Sequence, residues 1–373
     1  MQLTRAISIG VLVMTAALLT AASPCAAQVT PAAGYVPPDD TPAIRVGATI
    51  YADYTVQTNP KTKDADGNEV TSNAFNVTRT YINITGNISH NIAFRITPDI
   101  TRETESAAAG TSLAGNYVFR LKYGFVQFNL DDYMNPGRTG SWVRLGVQQT
   151  PWVDYIENIY RYRFQGTIFE EREGYLSSSD VGASFHYNFA NNYGEVHTGF
   201  YNGETYTRPE PNDQKGFEIR GTLRPLPMSP TLRGLRVNAF WDKDAYLKNA
   251  ERDRSILGAT YEHKYVNAGF DYLWTNDQTS ATRTAVDGRG YTLWVTPRST
   301  IGWEGLLRFD HLEPNTDQSG TRNRWIGGIA YWFPHQGSVS TSLLFDVDNQ
   351  SFHDFATPSP TVTRYAVHAL VNF

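Results

Sequence analysis

Two sets of charged residues are placed to act on a solute together. Arg45, Arg79, Arg95, Arg120, Lys122 and Arg144 recur through the first part of the chain, each on the polar side of an alternating segment, against only Asp53 and Asp99. The segment 150–180 then carries Asp154, Glu157, Arg161, Arg163, Glu170, Glu171, Arg172 and Glu173, in which carboxylates outnumber cations. A basic surface facing an acidic one across a narrow gap of low dielectric sets up a transverse field. Such a field orients dipolar solutes and passes small ions of both signs, whereas a ring of one sign selects by charge. The expected chemistry is therefore filtering, with a slight lean toward anions. Tyr155, Tyr160, Tyr162, Phe164 and Phe169 give the acidic segment an aromatic side on which to pack.

Signatures of bond-making chemistry are missing. There is no His-Glu-x-x-His, no Gly-x-Ser-x-Gly, no Walker loop and no pair of cysteines, so no metal or cofactor is expected. The eight histidines are scattered: His90, His263 and His335 at turns, His311 and His353 near long connections, His186, His197 and His368 on strands. A net charge of −5 argues against a nucleic-acid partner.

The elements that must position these charges are strands. From Ile44, the residues Val46, Ala48, Ile50, Ala52, Tyr54 and Val56 alternate with Arg45, Gly47, Thr49, Tyr51, Asp53, Thr55 and Gln57. Alternate side chains of a strand point to opposite faces, so one face is apolar and the other mostly polar. The pattern returns fifteen more times, from 75–85 and 92–100 through 301–309, 325–333 and 339–347 to 365–373. Long polar connections are expected at about 58–74, 103–116, 150–180, 203–215, 242–254, 275–289, 312–322 and 349–361, and short ones such as Asn191-Asn192 and Pro297-Arg298 between them. The turns at 130–141 and 225–233 are longer than this rule prefers. An even strand number with alternating long and short connections predicts an all-β transmembrane antiparallel β-barrel of sixteen strands over 43–373. Aromatic content of 13% and a mean hydropathy of −0.41 suit such a barrel, whose lumen and loops are polar. Trp241 and Trp274 near one rim, and Tyr331, Phe333 and Phe373 near the other, fall where interfacial girdles belong.

The first 27 residues read as a cleaved export signal: Arg5, an uncharged apolar run from Ala6 to Ala22, and small residues at Cys25-Ala26-Ala27. Residues 28–42, rich in proline, read as an extended periplasmic tail. Cleavage removes the only cysteine. The last strand ends on Phe373, with Tyr365, Val367, Ala369 and Val371 on the same face. It resembles the terminal strand that outer-membrane proteins present to their barrel-assembly machinery.

Several short motifs resemble the broad family of phosphate-selective porins O and P. Asn76-Val77-Thr78-Arg79-Thr80-Tyr81-Ile82-Asn83-Ile84-Thr85-Gly86, followed by Asn91-Ile92-Ala93-Phe94, is similar to its arginine-bearing strand and return strand. Trp142-Val143-Arg144-Leu145-Gly146-Val147-Gln148-Gln149-Thr150-Pro151 looks like its segment entering the third loop, Glu171-Arg172 with Asp180-Val181-Gly182 like the exit, and Gly199-Phe200-Tyr201-Asn202-Gly203 like a Phe-Asn-Gly motif. The family's second strand carries several arginines, whereas Thr78 and Thr80 flank a single Arg79 here. The resemblance thus implies a porin in the bacterial outer membrane, without implying phosphate. It further implies a third loop, 150–180, folded into the lumen, a homotrimer surrounded by outer-membrane lipid, and passive diffusion of small hydrophilic solutes. The alternatives from other classes are a gated substrate-specific transporter and a barrel enzyme such as a phospholipase, which would need a Ser/His pair at the lipid rim.

Overall fold

The computed structural model describes residues 40–103, 115–134, 140–210, 212–335 and 339–373, so the expected signal segment and most of the proline-rich tail lie outside the described residues. Alternating sequence becomes sixteen antiparallel strands: β1 (Ala43–Lys63), β2 (Glu69–Asn87), β3 (Ile92–Arg102), β4 (Tyr117–Asn129), β5 (Trp142–Gln149), β6 (Ser179–Asn188), β7 (Gly194–Tyr201), β8 (Gly216–Leu223), β9 (Leu235–Leu247), β10 (Ala250–His263), β11 (Val266–Asp277), β12 (Val286–Pro297), β13 (Trp303–Glu313), β14 (Thr321–Trp332), β15 (Ser340–His353) and β16 (Val362–Asn372). Each pairs with its sequence neighbours, and β1 closes on β16 with Ala52 opposite Ala369 and Tyr54 opposite Val367. Closure leaves no edge strand, so every wall strand has a partner on both sides. Phe119, Leu145, Leu257, Leu307, Phe345 and Val367 stand exposed on the outside, as a wall facing hydrocarbon requires.

The connections differ from expectation in one consistent way. Segments read as loops at 58–74 and 242–254 are largely strand, and both ends of 275–289 are strand as well, because β1, β2, β9, β10, β11 and β12 run on past the apolar belt. Apolar alternation stops where the apolar surroundings stop, but the backbone ladder does not. Cross-strand pairs hold these polar extensions instead: Arg254–Asp277 at 2.7 Å, Arg289–Glu313 at 2.7 Å and Asn276 to Asp287 at 2.6 Å. The β1–β2 hairpin then turns in five residues, where the Asp64 carboxylate accepts from the Asp66 and Asn68 amides and Gly67 takes a φ of 85°. At the opposite, short-turn end, Asn191 and Asn192 both adopt positive φ between β6 and β7. The longer turn at 130–141 holds a single helical turn, α1 (Asp131–Met134), and the Asp131 carboxylate accepts from the Gly140 and Ser141 amides.

The densest apolar packing lies inside the barrel. The connection between β5 and β6 folds inward and contains α2 (Val153–Tyr160) and α3 (Phe169–Arg172). Its Trp152, Ile156, Ile159, Tyr160, Phe164 and Phe169 pack on inward side chains of β9 to β16, among them Phe240, Leu273, Trp294, Leu306, Leu344 and Leu370.

Candidate functional site

The inward loop divides the lumen, and its construction shows why it stays there. In α2 the residues Val153, Ile156, Ile159 and Tyr160 are buried, a spacing that puts them on one helical face. Asp154, Glu157 and Asn158 are left on the side that lines a lumenal cavity. The helix stops at Arg161, which takes a left-handed φ of 67° and donates its amide to the Glu157 carbonyl. Wall side chains hold the loop along its length. Arg220 of β8 donates to the Pro151 carbonyl at 2.6 Å, Asn267 of β11 to the Ile159 carbonyl at 2.7 Å, and Arg308 of β13 to the Thr167 carbonyl at 2.9 Å. Glu304 of β13 accepts from the Tyr162 hydroxyl at 3.0 Å and pairs with Arg161 at 3.3 Å. Arg172 reaches Asp348 of β15, and Glu173 binds Arg322 of β14 at 2.9 Å.

Across from the loop, the inner surface of β1 to β5 is basic. Arg79 and Arg120 converge on Asp99, at 3.0 and 2.9 Å. Lys122, almost fully buried, donates to the Ser178 hydroxyl at 2.9 Å. Arg95 donates to Asn83 and Thr97 and lies 4.3 Å from the centre of the Tyr123 ring. Arg144 donates to the amide oxygens of Gln127 and Gln149 and stacks 3.7 Å over Trp142. Arg95 and Arg144 are thus held by neutral acceptors and aromatic faces, while Arg79 and Arg120 share one carboxylate. Arg45 lines a cavity of about 230 Å³ at the short-turn end together with Arg95 and Arg144.

Two features of β3 and β4 set this wall. The register slips between Thr97 and Pro98, which face Tyr123 and Leu121, so Lys122 is the extra residue of a β-bulge. The bulge turns both Lys122 and Tyr123 inward and leaves Leu121 outside. Pro98 has no N–H to give the ladder, and bulges are where sheets accommodate proline.

Between loop and wall lie two cavities. One, of about 430 Å³ on the short-turn side, is lined by Thr49, Arg95, Lys122, Asp154, Glu157 and Arg161; the other, of about 500 Å³ on the hairpin side, by Asp53, Arg79, Arg102, Arg172 and Arg324. Tyr51 and Arg163 line both, which puts them where one cavity passes into the other. Tyr51 meets Tyr81 and Phe164 with ring centres 5.9 and 6.4 Å away. Arg163 bridges Glu157 at 2.7 Å and Glu171 at 3.5 Å. Two carboxyl groups share that one guanidinium. Burial pushes the Glu157 carboxyl up to about 8, Arg163 opposing the shift and Glu171 reinforcing it. Glu171, although burial acts to raise it, is held below the ordinary carboxylate range by Arg163 and Lys122.

Of the loop residues singled out in the sequence, Asp154, Glu157, Arg161, Arg163 and Arg172 line these two cavities. Glu171 stands behind Arg163, and Glu173 is taken up by Arg322. Tyr160 and Glu170 are buried, and burial pushes Glu170 up to about 7. Tyr365, Val367, Val371 and Phe373 all stand exposed on the outer surface. Sequence reasoning missed Tyr51, Tyr81 and Tyr123 as aperture residues, and Tyr206, whose ring lies 5.1 Å from Arg120 and 5.7 Å from Lys122. It also missed the apolar seat of the loop. The signal was present in runs such as Tyr272-Leu273-Trp274, Leu293-Trp294-Val295 and Leu343-Leu344-Phe345, where an inward position is apolar between two outward apolar ones. Among the described residues no group of three or more His, Cys, Asp or Glu side chains could hold a metal ion.

Neither a family model nor a curated protein matches this sequence. Solved structures do resemble it in fold. Outer-membrane expressed OmpT of Vibrio cholerae aligns with a TM-score of 0.59 at 11% identity, over 91% of this chain and 100% of that one. An anion-selective porin from Comamonas acidovorans aligns with 0.59 at 11%, over 89% and 100%. Salmonella typhi OmpF in complex with daunomycin aligns with 0.59 at 10%, over 88% and 97%. The chain therefore has the closed sixteen-stranded barrel of outer-membrane porin structures.

Proposed function

We propose that this protein is a porin of the bacterial outer membrane, a water-filled channel through which small hydrophilic solutes and ions diffuse down their gradients. The observation that carries this reading is the inward loop. It is fixed to one half of the wall and leaves charged cavities of about 430 and 500 Å³ against the other half. A barrel of this strand number, closed by side chains only along one side, leaves a wet passage. The fold likeness to an anion-selective porin and to OmpF supports the same reading.

In this proposal an anion entering from the hairpin side meets Arg172 and Arg163, passes Tyr51, and continues along Lys122, Arg95, Arg144 and Arg45. Asp154 and Glu157 on the loop oppose that wall, so cations pass as well. The anion lean is slight because Asp99 offsets Arg79 and Arg120, and Glu171 offsets Arg163. The remaining parts of the reading follow from it: export on residues 1–27, a tail over 28–42, insertion by assembly machinery that reads Tyr365, Val367, Val371 and Phe373, and a homotrimer in the outer membrane. Liposome swelling with neutral sugars of increasing size is the test. Swelling that falls off steeply with sugar size is expected; correctly folded barrels that admit no sugar at all would overturn the open channel.

A further inference from the structure

We propose that a second anion site, suited to a small organic carboxylate, lies off the main passage between the start of α2 and the inner wall of β5 to β9. A cavity of about 170 Å³ sits there, bounded by Trp142, Arg144, Pro151, Tyr155, His197 and Arg236. A single water needs only about 10–15 Å³ of such space. Trp142 is 2% exposed, His197 6% and Arg236 1%. The indole Nε1 of Trp142, the imidazole Nε2 of His197 and the Nε of Arg236 have no hydrogen-bond partner. An indole N–H and a guanidinium N–H can only donate, and buried donors are rarely left unmade. Their neighbour Arg144 donates to the neutral amides of Gln127 and Gln149.

The site therefore offers unmet donors, and the guanidinium groups of Arg144, Arg220, Arg224 and Arg236 outnumber its two carboxylates, which suits negatively charged oxygens. The two carboxylates in its lining are already engaged: Glu195 with Arg220 at 2.7 Å, and Asp154 with Asn158 at 3.3 Å and Tyr123 at 3.4 Å. Pro151, Ile159 and the rings of Trp142 and Tyr155, which carry Arg144 and Arg220 over their faces, give the lining an apolar share, and this favours a carboxylate with a hydrocarbon body over a compact, fully polar phosphate. Arg144 also lines the short-turn cavity with Arg45 and Arg95, so an anion moving along the basic wall can step aside there. The porin reading supplies only that route; binding is a property of the folded barrel by itself.

The full-length barrel, folded in detergent micelles, is titrated by calorimetry with sodium propionate and separately with sodium phosphate at constant ionic strength. Saturable propionate binding is expected, with phosphate at least about tenfold weaker. His197→Phe and Arg236→Lys each remove one of the free nitrogens while keeping a ring or a charge. Each should weaken propionate binding about tenfold and leave single-channel conductance unchanged. No saturable binding of either anion overturns the site, since the donors would then be serving water. Phosphate binding as tight as propionate overturns the carboxylate assignment, and binding unchanged in both variants moves the ligand elsewhere on the basic wall. Propionate binding without any conductance would sustain this site and remove the channel reading.

Discussion

At the aperture, a few side chains decide the sign of the field, and Glu157 is the one whose charge changes near neutral pH. Its charged neighbours are Arg163, Glu171 and Asp154 on the loop itself and Lys122 on the facing wall. With its carboxyl raised to about 8, it holds its proton at pH 7 and loses it as the pH rises through 8. Raising the pH from about 7 to 9 therefore adds a negative charge to the passage. Anion preference should fall over that window and change little between about 6 and 7, which reversal potentials at each pH would show. Glu157→Gln should flatten this dependence; a variant that keeps it would place the titrating group elsewhere. Glu170, raised to about 7, is fully buried within the loop and lines neither cavity of the passage. Much of this chemistry was legible in the sequence, because a charge on an alternating strand has only one face on which it can be solvated. The sharing of Arg163 by two carboxyl groups was not, since it depends on how α2 and α3 fold back on each other.

The inward loop and its seat are the decisive elements. Its position after the fifth strand, its length and its aromatic residues could be read from the chain, and the structure folds it inward. Its partner surface was harder to see, because Leu273, Trp294, Leu306 and Leu344 occupy positions that period-two alternation assigns to polar side chains. Strand ends were misjudged for a related reason: polar cross-strand pairs such as Arg254–Asp277 extend the ladder beyond the apolar pattern. Lys122 and Tyr123 both face the lumen only because of the bulge opposite Pro98. If apolar docking holds the loop, Trp294→Ala should weaken the loop's attachment by about 3–5 kcal/mol. Single-channel records would then show larger and noisier conductance from a barrel that still folds. Steps indistinguishable from those of the unaltered protein would mean that the polar anchors at Glu304, Arg308 and Arg220 suffice.

For the molecule as a whole, closure of β1 on β16 turns sixteen marginal hairpins into one wall, and the outer face commits that wall to lipid. Phe345, exposed and flanked by Ile329 and Val367 on the neighbouring strands, lies toward the middle of β15. Phe345→Arg should lower folding stability in lipid vesicles by about 2–4 kcal/mol, read from urea titration; an unchanged midpoint would place that surface outside the hydrocarbon. In the proposed function the barrel is an open channel whose basic wall gives it a slight anion lean, with Arg95 and Arg144 as the cations held by neutral acceptors. The most direct measurement is the reversal potential of the purified protein in a planar bilayer under a potassium chloride gradient. Discrete conductance steps with weak anion preference, moved toward cations by Arg95→Gln and Arg144→Gln, are predicted. Steps that prefer cations in the unaltered protein, or that ignore both substitutions, would contradict the assigned wall; folded barrels with no conductance would contradict the channel itself.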